Sequence, residues 1–330
     1  APTLAGLEGG ETRWHVMVEG SNDQPELEDT FRIGYALGQA AVGASSWDAD
    51  WPDSSEGPRA GAQPPSCFDG STCTGTRTSL REPFLLPRAG PRFVIAAARE
   101  TAMGSEVFAL VARNEAVSPS MGVSFDDDDV VLAPEADPAC LSLRDPALAP
   151  RGASPGDGLW LFYTCERVGP DAIHAVPLET VDGIRVPEGA TPASVIAPST
   201  IGAFGRDGVS GPEPIVDVVD AGENAVVRLW FLARSNVAGT SVGLAVGEAP
   251  IGAGWDALPV LQAYPANPVL EASAFAGCEG CTLVGFGVAQ DPDPTRRGRL
   301  RFLVARRVPR DGGGRRFELV PFEQPWVLNR

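Results

Sequence analysis

A proline that follows a short, mostly acidic or amide residue and opens an apolar strand recurs five times in this 330-residue chain. The copies are Ala1-Pro2-Thr3-Leu4, Glu82-Pro83-Phe84-Leu85, Asp145-Pro146-Ala147-Leu148, Glu213-Pro214-Ile215-Val216 and Asn267-Pro268-Val269-Leu270. Successive prolines stand 81, 63, 68 and 54 residues apart, and 62 residues follow the last. A local signature repeated at such a period marks repeated supersecondary units.

Within each unit the same order returns: a short strand, a turn, a long apolar strand, a turn and an alternating strand. The second strands include Arg92 to Ala96, Leu159 to Tyr163, Arg228 to Leu232 and Thr282 to Phe286. They are aromatic and β-branched, and Gly, Asp, Ser and Pro bound them. Third strands are predicted over Phe31 to Leu37, Glu106 to Val111, Ala172 to Leu178, Thr240 to Val246 and Arg299 to Val304. Fourth, outer strands are predicted at Gly122 to Phe125, Gly183 to Val186, after Trp255 and at Phe317 to Val320. No helical periodicity is sustained, and 38 Gly and 31 Pro punctuate the chain. The fold class is therefore all-β.

Five units of about four antiparallel strands suit a five-bladed β-propeller, which avoids exposed edges by radial repetition. The expected blades are 1–51, 79–134, 140–190, 209–262 and 265–330 in one domain, with 52–78 a long loop insertion. A double β-sandwich leaves the single proline motif per unit unexplained.

Charge narrows the partners. There are 26 Arg, no Lys and 43 Asp plus Glu, a net charge of −17. Such acidity argues against nucleic acid or an anionic membrane surface, both of which need a basic face. Apolar runs reach only about five residues, far short of a membrane span. The chain starts at Ala1, and its six cysteines sit at loop ends. Together these predict a processed, secreted or surface-located protein with three local disulfides. The favoured pairs are Cys67–Cys73, Cys140–Cys165 and Cys278–Cys281, although six cysteines allow fifteen connectivities. A zinc site would require the first and last pairs to meet across the fold.

In a propeller the first strand of each blade lies innermost, so the residue before its proline faces the mouth of the central channel. Ala1, Glu82, Asp145, Glu213 and Asn267 would then converge. Three carboxylates at close quarters repel one another and lose water, which raises at least one pKa. One protonated and one ionised carboxylate form the pattern that cleaves glycosidic bonds. Arg81 and Arg144 stand ready to hold one acid ionised or to grip a hydroxyl. Antiparallel pairing brings the ends of the second strands to the same opening. That adds Glu19, Arg99 and Glu100, Glu166 and Arg167, Arg234 and Ser235, and Gln290 to a polar rim suited to sugar hydroxyls. Asp126 to Asp129 lack calcium-ligand spacing, and His15 and His174 read as strand histidines or axial ion ligands. Ser210 and Ser241 have no plausible His/Asp pair in the sequence, so serine hydrolase chemistry is not expected.

Arg144-Asp145-Pro146, followed one blade later by Gly211-Pro212-Glu213-Pro214, resembles the five-bladed glycoside hydrolases. These include the family 43 arabinanases and xylosidases and the invertase and levansucrase families. Leu159 to Thr164 and Thr240 to Ala245 are similar to the group's second and third strands. The resemblance implies an Asp base or nucleophile on the first blade, an Asp stabiliser on the second and a Glu acid on a later one. Here Ala1 stands at the first position and Glu82 at the second. A literal transfer makes Glu82 the modulator and Glu213 the acid, with no base. A shifted transfer makes Asp145 the ionised carboxylate and Glu213 the acid, with Glu82 or Glu19 beside them.

The functional expectation is a monomeric, glycosidase-like hydrolase with carbohydrate as its partner. The alternatives are a carbohydrate-binding propeller without catalysis and a protein-interaction scaffold. No organic cofactor is implied, and a structural calcium or other axial ion is compatible with an acidic channel.

Overall fold

In a computed structural model, the described residues are 3–7, 13–21, 31–39, 48–50, 80–87, 93–101, 104–111, 129–152, 157–180, 184–218, 224–237, 239–250, 257–275, 278–290, 299–309 and 315–325. Among them, strands fall into five antiparallel sheets, with a single helical turn at Pro198–Ile201 and a few 3-10 turns. The first sheet comprises β1 (Thr3–Leu7), β2 (Arg13–Ser21), β3 (Phe31–Gln39) and β4 (Asp48–Asp50). The second holds β5 (Leu80–Pro87), β6 (Phe93–Thr101), β7 (Gly104–Val111) and β8 (Asp129–Leu132). The third holds β9 (Ser142–Pro150), β10 (Leu159–Glu166), β11 (Ala172–Leu178) and β12 (Ala193–Ile196). The fourth contains β13 (Gly208–Val218), β14 (Asn224–Ser235), β15 (Gly239–Pro250) and β16 (Val260–Ala263), with β17 (Leu270–Glu271) also paired to β15. The fifth is β18 (Thr282–Gln290), β19 (Arg299–Pro309) and β20 (Arg315–Pro325).

Each sheet is a meander, and the sheets meet through their leading strands. β1 touches β5 and β18, β5 touches β9, β9 touches β13, and β13 touches β18. The five leading strands therefore close a cycle.

Packing between sheet faces explains the composition of the middle strands. Every residue of β11 and all but the last of β10 are buried. A strand covered on both faces reads as a continuous apolar run instead of an alternation. β14 shows the division residue by residue. Phe231 joins the core shared by the second, third and fourth sheets, whereas Trp230 and Leu232 join the core between the fourth and fifth. Trp230 meets Phe302 edge-on, with ring centroids 6.1 Å apart, a favourable aromatic geometry. Opposite Phe231 on β15 stands Gly243. A Cβ there would lie 2.6 Å from the Phe231 ring and 2.9 Å from Phe204, so glycine makes room for both rings.

Three features of the predicted layout are corrected. The outer strand of the third sheet is β12, not Gly183 to Val186; there Arg185 makes only an isolated bridge to Glu179. The fifth sheet is led by β18, so Thr282 to Phe286 open its first strand and not its second. Residues Val260–Ala263 and Leu270–Glu271 both pair with β15, so the last blade does not begin at residue 265. The 52–78 insertion and Gly122 to Phe125 lie outside the described residues. Within the described residues β20 is the outer strand of its sheet, with Pro321 opposite Leu303 and Pro325 opposite Arg299.

Phe231→Ala should destabilise the protein by about 3–5 kcal/mol through lost burial and the cavity left behind. Gly243→Ala should cost about 1–3 kcal/mol by overpacking. Urea denaturation of both single variants and the double variant checks the contact, because the double should cost clearly less than the sum of the two.

Candidate active site

Three leading strands carry the same irregularity. On β5, Arg81 pairs with Ala98 and Phe84 with Ala96, leaving Glu82 and Pro83 opposite one residue. On β9 the pair Asp145 and Pro146 is left over in the same way between Arg144↔Thr164 and Ala147↔Phe162. On β13 the surplus pair is Gly211 and Pro212, between Ser210↔Leu232 and Glu213↔Trp230. The first residue of each bulge is left-handed, with φ of 56° at Glu82, 47° at Asp145 and 60° at Gly211. This is the bulge whose first position is ordinarily glycine, and a residue with a Cβ there costs about 1–2 kcal/mol. Proline follows well, because the bulged residue need not donate to the ladder.

The fourth structural copy of the motif is therefore Gly211-Pro212, not Glu213-Pro214, and Glu213 stands two residues beyond the bulge. The fifth copy is not a leading-strand position at all. Asn267 sits between β16 and β17, where its side chain accepts from Leu244 N–H and donates to Leu244 O, both at 2.8 Å. Its amide imitates a strand partner for β15, away from the acids.

The acids are linked across sheets by one recurring hydrogen bond. Glu82 Oε2 accepts the Asp145 N–H at 2.7 Å, from the bulge of the next sheet. Asp145 Oδ2 accepts the Gly211 N–H at 3.1 Å, from the bulge after that. The Glu213 carboxylate feels the Val288 N–H of β18, in the fifth sheet, which favours its charged form. Arg144 closes the first of these links. Its Nε and Nη2 donate to Glu82 Oε1 at 3.0 and 2.5 Å, and its Nη1 lies 3.9 Å from Glu166 Oε2. Thr164 Oγ1 donates to Asp145 Oδ2 at 2.9 Å and accepts the Gly211 N–H at 3.0 Å.

Burial sets the electrostatics. Glu82 and Glu213 are each only 6% exposed, whereas Asp145 is half-buried. Burial, with the Asp145 charge adding to it, pushes Glu82 up to about 7 against the pull of Arg144. Burial also pushes Glu213 well above the usual carboxylate range, opposed by the Val288 N–H and assisted by Asp145. The site thus joins one partly open carboxylate to two buried ones that resist ionisation.

Other predicted site residues are distributed as follows. Glu166 and Arg144 stand together, half-exposed. Arg234 is at the same end but donates to Asp171 of the third sheet, so it ties two sheets together. Gln290 lies at the opposite end, donating to Asp217 Oδ1 at 2.9 Å, because β18 runs as a leading strand. The side chains of Glu19, Arg81 and Glu100, and all of Ala1, Cys67, Cys73 and Asp126 to Asp128, lie outside the described residues.

Cys140–Cys165 and Cys278–Cys281 are disulfides. The first lies against a buried polar knot that includes His174, which is thereby removed from any axial role. His174 Nδ1 donates to Asp137 Oδ2 at 2.7 Å, and Tyr163 OH donates to the same oxygen at 2.5 Å. Burial alone would raise Asp137, but these two donors outweigh it and hold its pKa below the usual value. Asp137, Cys140, Cys165 and His174 place their ligand-type atoms within 4.8 Å of one another. The bonded sulfurs, however, offer no thiolate to a metal, and Asp137 Oδ2 occupies the centre of the group.

Sequence reasoning missed Thr164, Gly211 and Asp137. The glycine of Gly-Pro-Glu-Pro was a readable signal for a left-handed residue; Thr164 and Asp137 carried none.

The raised Glu82 has a signed effect on stability. Between about pH 4.5 and 7 the unfolded chain releases this proton while the folded chain keeps it, so stability falls as pH rises through that window. Below it both states are protonated and the difference disappears. Chemical denaturation at pH 5 and 7.5 should show a shallower decline in Glu82→Gln, by on the order of 3 kcal/mol.

No protein-family model matches the chain, and no curated protein matches its sequence. Solved structures do share its fold. An endo-arabinase from Bacteroides thetaiotaomicron aligns at TM-score 0.54 and 12% identity, over 99% of this chain and 94% of its own. The catalytic domain of a Coprinopsis cinerea family 62 α-L-arabinofuranosidase aligns at TM-score 0.55 and 12% identity, over 98% and 89%. A Podospora anserina α-L-arabinofuranosidase in complex with cellotriose gives TM-score 0.55 and 12% identity, over 99% and 91%. The fold of this chain is thus similar to that of the arabinanases and arabinofuranosidases, which are five-bladed β-propeller glycoside hydrolases.

Proposed function

We propose that residues 1–330 form a single, secreted five-bladed β-propeller that binds carbohydrate at its axis and hydrolyses a glycosidic bond there. Five sheets with leading strands in one cycle support the blade count, and the two disulfides suit an oxidising compartment. No described helix is long and apolar enough to cross a membrane. Fold neighbours include hydrolases solved with xylotriose and with cellotriose, which supports a sugar as the ligand.

The observation that carries the catalytic reading is the difference in environment between Asp145 and Glu213 on adjacent leading strands. Glu213, buried and resisting ionisation, is the general acid that protonates the leaving oxygen. Asp145, the more open of the two, is the carboxylate that meets the charge developing on the sugar ring or orients water. Glu82, held by Arg144 and the Asp145 N–H, is the modulator. Arg144 and Glu166, with Arg81, Glu19 and Glu100 as further candidates from the sequence, serve substrate hydroxyls. Separation of the two working carboxyls by about 5 Å would give retention, and about 6.5 to 9.5 Å inversion.

A second reading, carbohydrate binding without turnover, is favoured by the structural duty of the same acids. Glu82 and Asp145 are each bonded to a backbone N–H of the following sheet.

Hydrolysis of aryl arabinofuranosides, aryl xylosides and plant polysaccharides over roughly pH 4 to 8 separates the two readings. Wild type should turn over at least one substrate, with Asp145→Asn and Glu213→Gln each losing about a hundred-fold or more. Activity should fall as pH rises and Glu213 gives up its proton. A folded wild type that hydrolyses nothing yet binds oligosaccharide would establish the second reading instead.

A further inference from the structure

We infer that Thr164 is a positioning residue that fixes which oxygen of Asp145 meets a ligand. The inference rests on the reading of Asp145 as a carboxylate of the carbohydrate site. Thr164 lies on β10 directly opposite Arg144 and is 2% exposed. Its hydroxyl is engaged twice, donating to Asp145 Oδ2 at 2.9 Å and accepting the Gly211 N–H at 3.0 Å. The same N–H reaches Asp145 Oδ2 at 3.1 Å. Hydroxyl, amide and carboxylate oxygen thus form a closed triangle that joins the third and fourth sheets.

Asp145 Oδ2 is consequently filled by two protein donors, while Oδ1 has no protein partner among the described residues. Asp145 also sits in a left-handed bulge, which fixes the direction of its Cα–Cβ bond. With the backbone set by the bulge and one oxygen set by Thr164, the remaining rotation is removed. Only Oδ1 is presented to a sugar hydroxyl or to the reacting carbon. Gly211 completes the device, because a Cβ at that position would meet nothing nearer than Leu232 at 3.7 Å. The glycine thus suits its φ of 60°, which Glu82 and Asp145 hold at the equivalent bulges only at a backbone cost, and does not answer crowding.

The discriminating variants are Thr164→Val, which keeps the shape and removes the hydroxyl, and Thr164→Ser, which restores it. Two readouts on the full chain are needed: steady-state kinetics on the aryl glycoside that wild type hydrolyses best, and hydrogen exchange of the Gly211 amide by NMR. The valine variant should lower kcat about ten-fold with KM within two-fold, as expected for losing one hydrogen bond to a charged group. Its Gly211 amide should exchange about ten-fold faster, and serine should restore both values. Wild-type kcat in the valine variant, a loss confined to KM, or failure of serine to restore would overturn the assignment. If wild type hydrolyses no substrate, the hydrolase reading fails on its own. The exchange data then decide the Thr164 assignment, and an unchanged Gly211 amide in the valine variant overturns it.

Discussion

A buried carboxylate must find donors, and in this fold the nearest ones belong to the next sheet. Two acids on leading strands take the N–H of the following sheet, Asp145 for Glu82 and Gly211 for Asp145, and the Val288 N–H of the fifth sheet opposes the upward shift of Glu213. An unsatisfied carboxylate in such a place would cost several kcal/mol. The links therefore fix the relative height of neighbouring leading strands as firmly as the apolar faces fix their separation. The same need keeps the acids together, since moving one sheet strands the carboxylate of the sheet before it.

This arrangement ties the cohesion of the sheets to the ionisation of the same acids. The bulges turn Glu82 and Asp145 out of the strand alternation at a backbone cost of about 1–2 kcal/mol each, which the cross-sheet bonds and Arg144 offset. Strain held by surrounding contacts is characteristic of functional positions. Here the outlier φ values at Glu82 and Asp145 mark the residues singled out on chemical grounds.

The legibility of the chain follows from where tertiary context acts. β10, β11 and β14 were readable because burial on both faces demands aromatic and β-branched runs, and turn residues bound them. The Cys140–Cys165 and Cys278–Cys281 pairs were readable from their local spacing. Asn267-Pro268 was misread because a proline after an amide opens a strand or closes an outer loop with equal ease, and only the Leu244 contact distinguishes the two. That error shifted the fifth unit by one strand and carried Gln290 to the wrong end. Glu213 was read from the second of two consecutive X-Pro steps, when the bulge uses the first. The Asp137, Tyr163 and His174 knot was invisible, since three residues distant in sequence meet only after the third sheet has formed.

The two prolines on β20 have a consequence for the molecule's behaviour in a crowded solution. A ring nitrogen cannot donate, so a proline fits a paired strand only where its nitrogen faces away from the neighbour. Pro321 and Pro325 are four residues apart and share that orientation. They therefore interrupt the row of amide donors along the outer side of the fifth sheet. A strand from another molecule would find no continuous ladder to extend. Among the described residues this sheet has three strands, and the prolines of its outer strand work against edge-to-edge association.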